Sequence, residues 1–134
     1  MKSHLNSPFF MSTICAPATA PGGALAVIRV SGENAISFTS SIFQPKGGTA
    51  LAQKKGATLT FGNIVNPANP EEVIDEVLVS VFRAPHSYTG EDATEISCHG
   101  SSFIVEKIVT LLLGAGCRLA EAGEFTKRAF LNGK

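Results

Sequence analysis

The chain has 134 residues, 44% of them apolar and 16% charged, with eleven basic side chains against eleven acidic. That length fits one domain, that apolar content supplies one core, and a zero balance gives no bulk attraction to nucleic acid. Three cysteines (Cys15, Cys98, Cys117) form no CxxC pair and are odd in number, which argues against a disulfide framework and for a reducing compartment. The Phe9-Phe10-Met11 patch is shorter than the roughly 7–15 apolar residues of a secretory signal, and no apolar run approaches the roughly 18–20 of a membrane span. The expected setting is the cytoplasm. Charge is unevenly spread: residues 1–60 carry five Lys/Arg against Glu33, and residues 71–95 carry seven acids against Arg83. This reads as a polar surface with loops of opposite sign.

In chain order, residues 1–12 read as a disordered lead-in to a domain over 13–134. Thr13 to Ala16 is a short strand candidate, and Pro17 to Gly23 a loop by its Pro and Gly content. Ala24 to Ser31 is a continuous apolar run, as for a strand covered on both faces. Ser31 is a candidate N-cap for a helix over Glu33 to Phe43, where Ala35, Phe38 and Ile42 recur at helical spacing. Residues 44–56 read as a polar, mobile loop. Ala57 to Val65 alternates like a half-buried strand; Asn66 to Glu72 is a turn region, and Val73 to Phe82 a second strand, giving a hairpin with a long connection. After a loop over Ala84 to Asp92 come a strand at Ala93 to Cys98 and a helix over about Phe103 to Leu113, stopped by Gly114 and Gly116. Cys117 to Ala120 suits a short strand, and Gly123 to Asn132 a last helix. That helix is expected to run still at Lys134, as in a piece of a longer protein. The expected fold is α+β: two layers, a mostly antiparallel sheet of about five strands, and three helices.

Few residues in this pattern suggest chemistry. Arg29 ends an otherwise apolar strand, so it needs an anionic partner, internal or a bound ligand, unless it reaches the sheet edge and water. Strand parity puts Thr94, Ile96 and Cys98 on one face and Ala93, Glu95, Ser97 and His99 on the other. Glu95 is therefore either part of a solvated face or a ligand platform whose carboxylate takes two N–H donors. In the loop His86 to Asp92, the turn formers surround Glu91-Asp92, which can accept backbone N–H groups. Cys98 and His99 point to opposite faces and cannot share one metal ion from there, so no metal site is expected. PGGALAVIR lacks a GxGxxG, no GxxxxGK[ST] exists, and no GxSxG elbow stands near His99. Helix capping accounts better for Ser101 and Ser102.

Three stretches in order resemble one family, the tRNA modification GTPases (MnmE/TrmE). They are TICAPATAPGGALAVIRVSG, HSYTGEDATEISCHGS (similar to the family's SFTGED–E–HGG segment) and AGEFTKRAFLNGK (similar to PGEFSERAFLNGK). Ala24 and Ser101-Ser102 depart from the usual pattern. The resemblance implies an amino-terminal domain similar to the folate-binding fold of aminomethyltransferases, forming a homodimer that holds 5-formyl-tetrahydrofolate or a related one-carbon folate. It places cofactor contacts on Arg29, Glu95 and Lys134. It further implies that GTP, magnesium and potassium belong to parts outside this chain. With a flavin-binding partner protein, the whole adds an aminomethyl-type group to C5 of the wobble uridine of tRNA. On this reading the chain binds and does not itself catalyse. Two alternatives are a free-standing folate-dependent transferase and a ligand-free dimerisation module in which Arg29 pairs with Glu95.

Overall fold

The computed structural model describes residues 12–134. All but the last residue of the expected lead-in lies outside them. The elements in order are β1 (Ile14–Pro17), β2 (Leu25–Ser31), α1 (Ala35–Ser41), β3 (Phe43–Pro45), β4 (Thr58–Asn66), β5 (Asn69–Phe82), β6 (Ala93–His99), α2 (Ser102–Ala115), β7 (Arg118–Leu119) and α3 (Glu124–Leu131). The fold is α+β, with one mixed sheet of seven strands in the order β3-β4-β5-β6-β2-β1-β7. Each neighbouring pair is antiparallel except β1 with β7. Five main strands were expected, and the short strand expected at Cys117 to Ala120 is β7; β3, which was not expected, brings the sheet to seven. No helix among the described residues is long and apolar enough to cross a membrane.

The core lies between α1, α2 and one sheet face. Ala26, Ile28 and Val30 from β2, Val77, Val79 and Val81 from β5, and Ile96 and Cys98 from β6 meet Ala35, Ile36, Ile108 and Leu112 there. Alternation along β2 and β6 therefore sends Arg29 and Glu95 to the opposite face, as parity requires, whereas the His99 ring at the end of β6 bonds the buried Asp75 at 2.7 Å. Burial first, and the Asp75 carboxylate second, push the Cys98 thiol up to about 11, so it is no thiolate nucleophile at neutral pH.

Four local expectations change, each through a long-range contact. Ser31 is not a helix cap. It is the last residue of β2, and α1 begins at Ala35, where the Thr13 hydroxyl accepts from the Asn34 N–H at 3.0 Å. The helix stops at Ser41 because Phe43 pairs with Ile64 in β3–β4. The 44–56 segment is tied down: Leu51 is in the core, and the Arg83 guanidinium donates to the carbonyls of Ala52 and Lys54. The β4–β5 connection is short, since β5 starts at Asn69 and pairs with Asn66. The Asn66 carboxamide accepts from the Ala68 N–H at 3.0 Å, an Asx turn. Asn, Pro and acidic residues there suit a ribbon running past the sheet with solvent on both sides.

Helix α2 starts where the polar spacing put it, capped by the Ser101 hydroxyl, which accepts from Ile104 N–H. It runs through Gly114 to Ala115. Helix α3 does not run on to Lys134. Gly133 takes φ +77°, its N–H donates to the Phe130 carbonyl, and the Lys134 N–H returns to Ala129 at 2.9 Å. This is a Schellman closure, with glycine in the left-handed position that a side chain disfavours. Lys134 is thereby folded back against α3.

Candidate functional site

Arg29 and Glu95 are direct cross-strand partners in the β2–β6 register. The Arg29 Nε donates to Glu95 Oε2 at 3.0 Å, with the two side chains 20% and 27% exposed. The partner that an arginine on this strand requires is thus internal. The pairing leaves capacity on both sides: no described residue takes the Arg29 Nη groups or donates to Glu95 Oε1. The guanidinium lies 4.6 Å from the Tyr88 ring centre and 5.3 Å from that of Phe125, so α3 and the 86–92 loop both reach over this sheet face.

A cleft of about 470 Å³ opens beside the pair, lined by Arg29, Phe82, His86, Tyr88 and Glu95 among others. That volume lies in the range of small-molecule sites, and its walls mix aromatic surface with one carboxylate and one guanidinium. Lys134 is elsewhere. Its Nζ donates to the Pro85 carbonyl at 3.2 Å, and it lines a neighbouring cleft of about 460 Å³ with Tyr88, Thr126, Ala129 and Phe130. The structure brings Arg29 and Glu95 together and sets Lys134 on the far side of Tyr88. A third, apolar cleft between the 17–23 loop and the start of α2 holds none of the three.

The loop that carries Tyr88 is held from three sides. The Ser31 hydroxyl donates to Glu91 Oε1 at 2.7 Å and therefore accepts from Thr89 at 2.6 Å. Asp92 accepts from the Ala84 N–H at 2.8 Å, the backbone role expected of it, whereas Glu91 turns to side chains. Arg128, almost fully buried, contacts both Glu91 oxygens at 3.2 Å and Glu124 at 3.1 Å. Arg118 grips Glu124 through both carboxylate oxygens, at 3.0 and 2.6 Å. Burial would raise the Glu124 carboxyl, but the Arg118 contacts, the Glu121 N–H and the Arg128 charge outweigh it and hold it below the ordinary value. Gly90, at φ +83°, is the contact point with α3: a Cβ there would stand 2.8 Å from Asn132 Cβ. The Asn132 amide donates to the Thr89 carbonyl from the same place.

A family model described as the amino-terminus of the GTP-binding protein TrmE matches residues 13–134. The chain belongs to that family. It is 66% identical over 123 residues to the tRNA modification GTPase MnmE of Bacteroides thetaiotaomicron, covering 91% of this chain and 26% of the relative. Bacteroides fragilis strain YCH46 has a relative of the same description at 63%, and Moorella thermoacetica one at 50%, with the same coverage. The chain spans about a quarter of the length of these curated relatives. Arg29, Glu95 and Lys134 all fall inside the span matched to the TrmE amino-terminus.

Sequence reasoning singled out Arg29 from its place in an apolar strand and Glu95 from strand parity, but missed Tyr88, Phe125 and Arg128. Tyr88 stood among turn formers, which explained it sufficiently. Arg128 had a signal, a basic residue one turn after Glu124 in a short helix, but i,i+4 pairs are usually solvated, and only the docked loop buries this one.

Proposed function

We propose that this chain is the one-carbon folate-binding and dimerisation domain of a longer GTPase in tRNA modification. The observation that carries the reading is the incompletely used Arg29–Glu95 pair on the wall of an aromatic cleft. Glu95 Oε1 suits the paired N–H donors of a pterin edge, and the Arg29 Nη groups and the Lys134 ammonium suit ligand oxygens and carboxylates. The donor set therefore fits 5-formyl-tetrahydrofolate or a close relative, which when bound supplies a one-carbon unit. This chain's residues bind and orient it. The longer protein, with GTP, magnesium and potassium in parts beyond this chain and a flavin-binding partner protein, adds the aminomethyl-type group to C5 of the wobble uridine in the cytoplasm.

Homodimerisation has its own support. On the sheet face shared with Arg29 and Glu95, Leu59, Phe61 and Leu78 are 68%, 47% and 41% exposed, and Phe61, Leu78, Ser97 and Val27 stand opposite one another in one row across four strands. A row of this kind suits a second copy of the chain better than water.

Calorimetry with 5-formyl-tetrahydrofolate tests the reading. Binding is expected in the wild type and a loss of at least about 10-fold in folded Glu95→Ala and Arg29→Ala variants, the scale of a charge-assisted hydrogen bond. Absence of heat from a folded dimer leaves the dimerisation module, for which the internal Arg29–Glu95 bond is sufficient. Turnover of a folate with an amine donor favours the free-standing transferase.

A further inference from the structure

Tyr88 lines both clefts, the one holding Arg29 and Glu95 and the one holding Lys134. We propose that its side chain is a movable partition, which a ligand long enough to reach from Glu95 to Lys134 displaces to join the two clefts into one groove. The proposal rests on the binding reading above and concerns which ligands that site accepts.

The backbone around Tyr88 is anchored more heavily than its side chain. Ser87 Oγ donates to the Glu91 carbonyl, Thr89 bonds Ser31, and Glu91 is held by Arg128. Loop displacement would break these together. Tyr88 is 51% exposed, and its ring is restrained by two contacts, a 2.9 Å hydroxyl–hydroxyl bond to Thr126 on α3 and the Arg29 guanidinium over its face. Rotation about the side-chain bonds releases both and leaves the loop in place. It also uncovers the Arg29 guanidinium on the side towards Lys134. A compact ligand that ends within the first cleft gains nothing from this movement. One with an N–H-bearing ring at one end and a carboxylate at the other gains Lys134. The Thr126 bond is thus a latch that sets the fraction of chains ready for the long ligand, and weakening it raises the apparent affinity by that fraction.

The chain has one tyrosine and no tryptophan, so 3-fluorotyrosine labelling yields a single fluorine resonance from Tyr88. Saturation with 5-formyl-tetrahydrofolate is expected to shift that resonance towards its position in ligand-free Thr126→Val, where the ring is kept and the latch removed. Unsubstituted pterin, which lacks the tail, is expected to leave it in place. In calorimetry, Tyr88→Phe should bind 5-formyl-tetrahydrofolate about two- to tenfold more tightly, the worth of one exposed hydrogen bond, and pterin unchanged. Both substituted side chains are exposed, and both changes remove a hydroxyl without removing bulk from the core.

A resonance that stays fixed at saturation overturns the partition, as does an equal gain for both ligands or weaker binding of the long ligand to Tyr88→Phe. In each of those outcomes binding is still measured and the folate reading stands. No heat with either ligand from the folded chain overturns the folate reading and the partition together.

Discussion

Two arginine–glutamate groups touch the 86–92 loop, one at Tyr88 and one at Glu91, and they differ in how fully they are used. Around Glu124 the carboxylate oxygens are gripped by Arg118, Arg128 and a backbone N–H, and Glu124 and Arg128 are withdrawn from water almost entirely. Around Glu95 a single 3.0 Å bond joins two side chains that each keep about a quarter of their surface. The first arrangement binds elements of the chain to one another, since a buried charge is costly unless it is paired. The second leaves donors and an acceptor open beside a cleft. Identical chemical groups are thus held by several partners in one place and by a single bond in the other, and burial makes the difference.

The comparison can be broken most forcefully at Arg128. Arg128→Met leaves Glu91 and Glu124 short of a cation and is expected to lower unfolding stability by about 3–5 kcal/mol in urea titration, whereas Arg29→Met is expected to lower it by about 1 kcal/mol or less. Equal losses would mean that Arg29 is also chiefly a structural residue. Ser31→Ala sharpens the contrast at the point where the loop meets β2. It removes a fully buried hydroxyl bonded to Thr89 and Glu91 and is expected to cost about 1–3 kcal/mol. Because Tyr88 sits beside Thr89, a weakening of 5-formyl-tetrahydrofolate binding should accompany that loss.

The smallest expected effect is in acid. The Glu124 carboxyl is held below its ordinary value in the folded chain, so on acidification the unfolded chain takes up the proton first. Its contribution is therefore present above the ordinary carboxylate range and is lost as pH falls through that range to the folded value. Glu124→Gln should flatten the acid limb of the stability–pH curve. An acid limb left unchanged by Glu124→Gln would contradict the assignment of Glu124 to cohesion.

Much of the candidate site was readable from local rules. The parity of β6 places Glu95 away from the core, and the guanidinium of Arg29 inside an apolar strand announces an anionic partner. The fully apolar reading of β2 was less complete: its outer face carries Leu25 at 67% exposure on an open part of the sheet. Single-strand pattern does not report whether anything covers that side. Residues 44–56 misled for a related reason, since their polar composition hides Leu51, which only the Arg83 contacts and the core explain.

What the amino-acid order determined unaided was therefore whatever depends on a few neighbouring residues: the alternation of faces, the Ser101 cap, and the segments that become β2, β4, β6, α2 and α3. Steric periodicity and capping act over four residues or fewer, and each is written in the local chain. Tertiary structure decided the rest. It gave Ser31 to Glu91 instead of a helix, converted Phe43 into a strand residue, joined Arg29 to Glu95 across 66 positions, and set Tyr88 between that pair and Lys134. Those outcomes depend on register and docking between distant segments, where a hydrogen bond to a far partner outweighs a local preference of similar size.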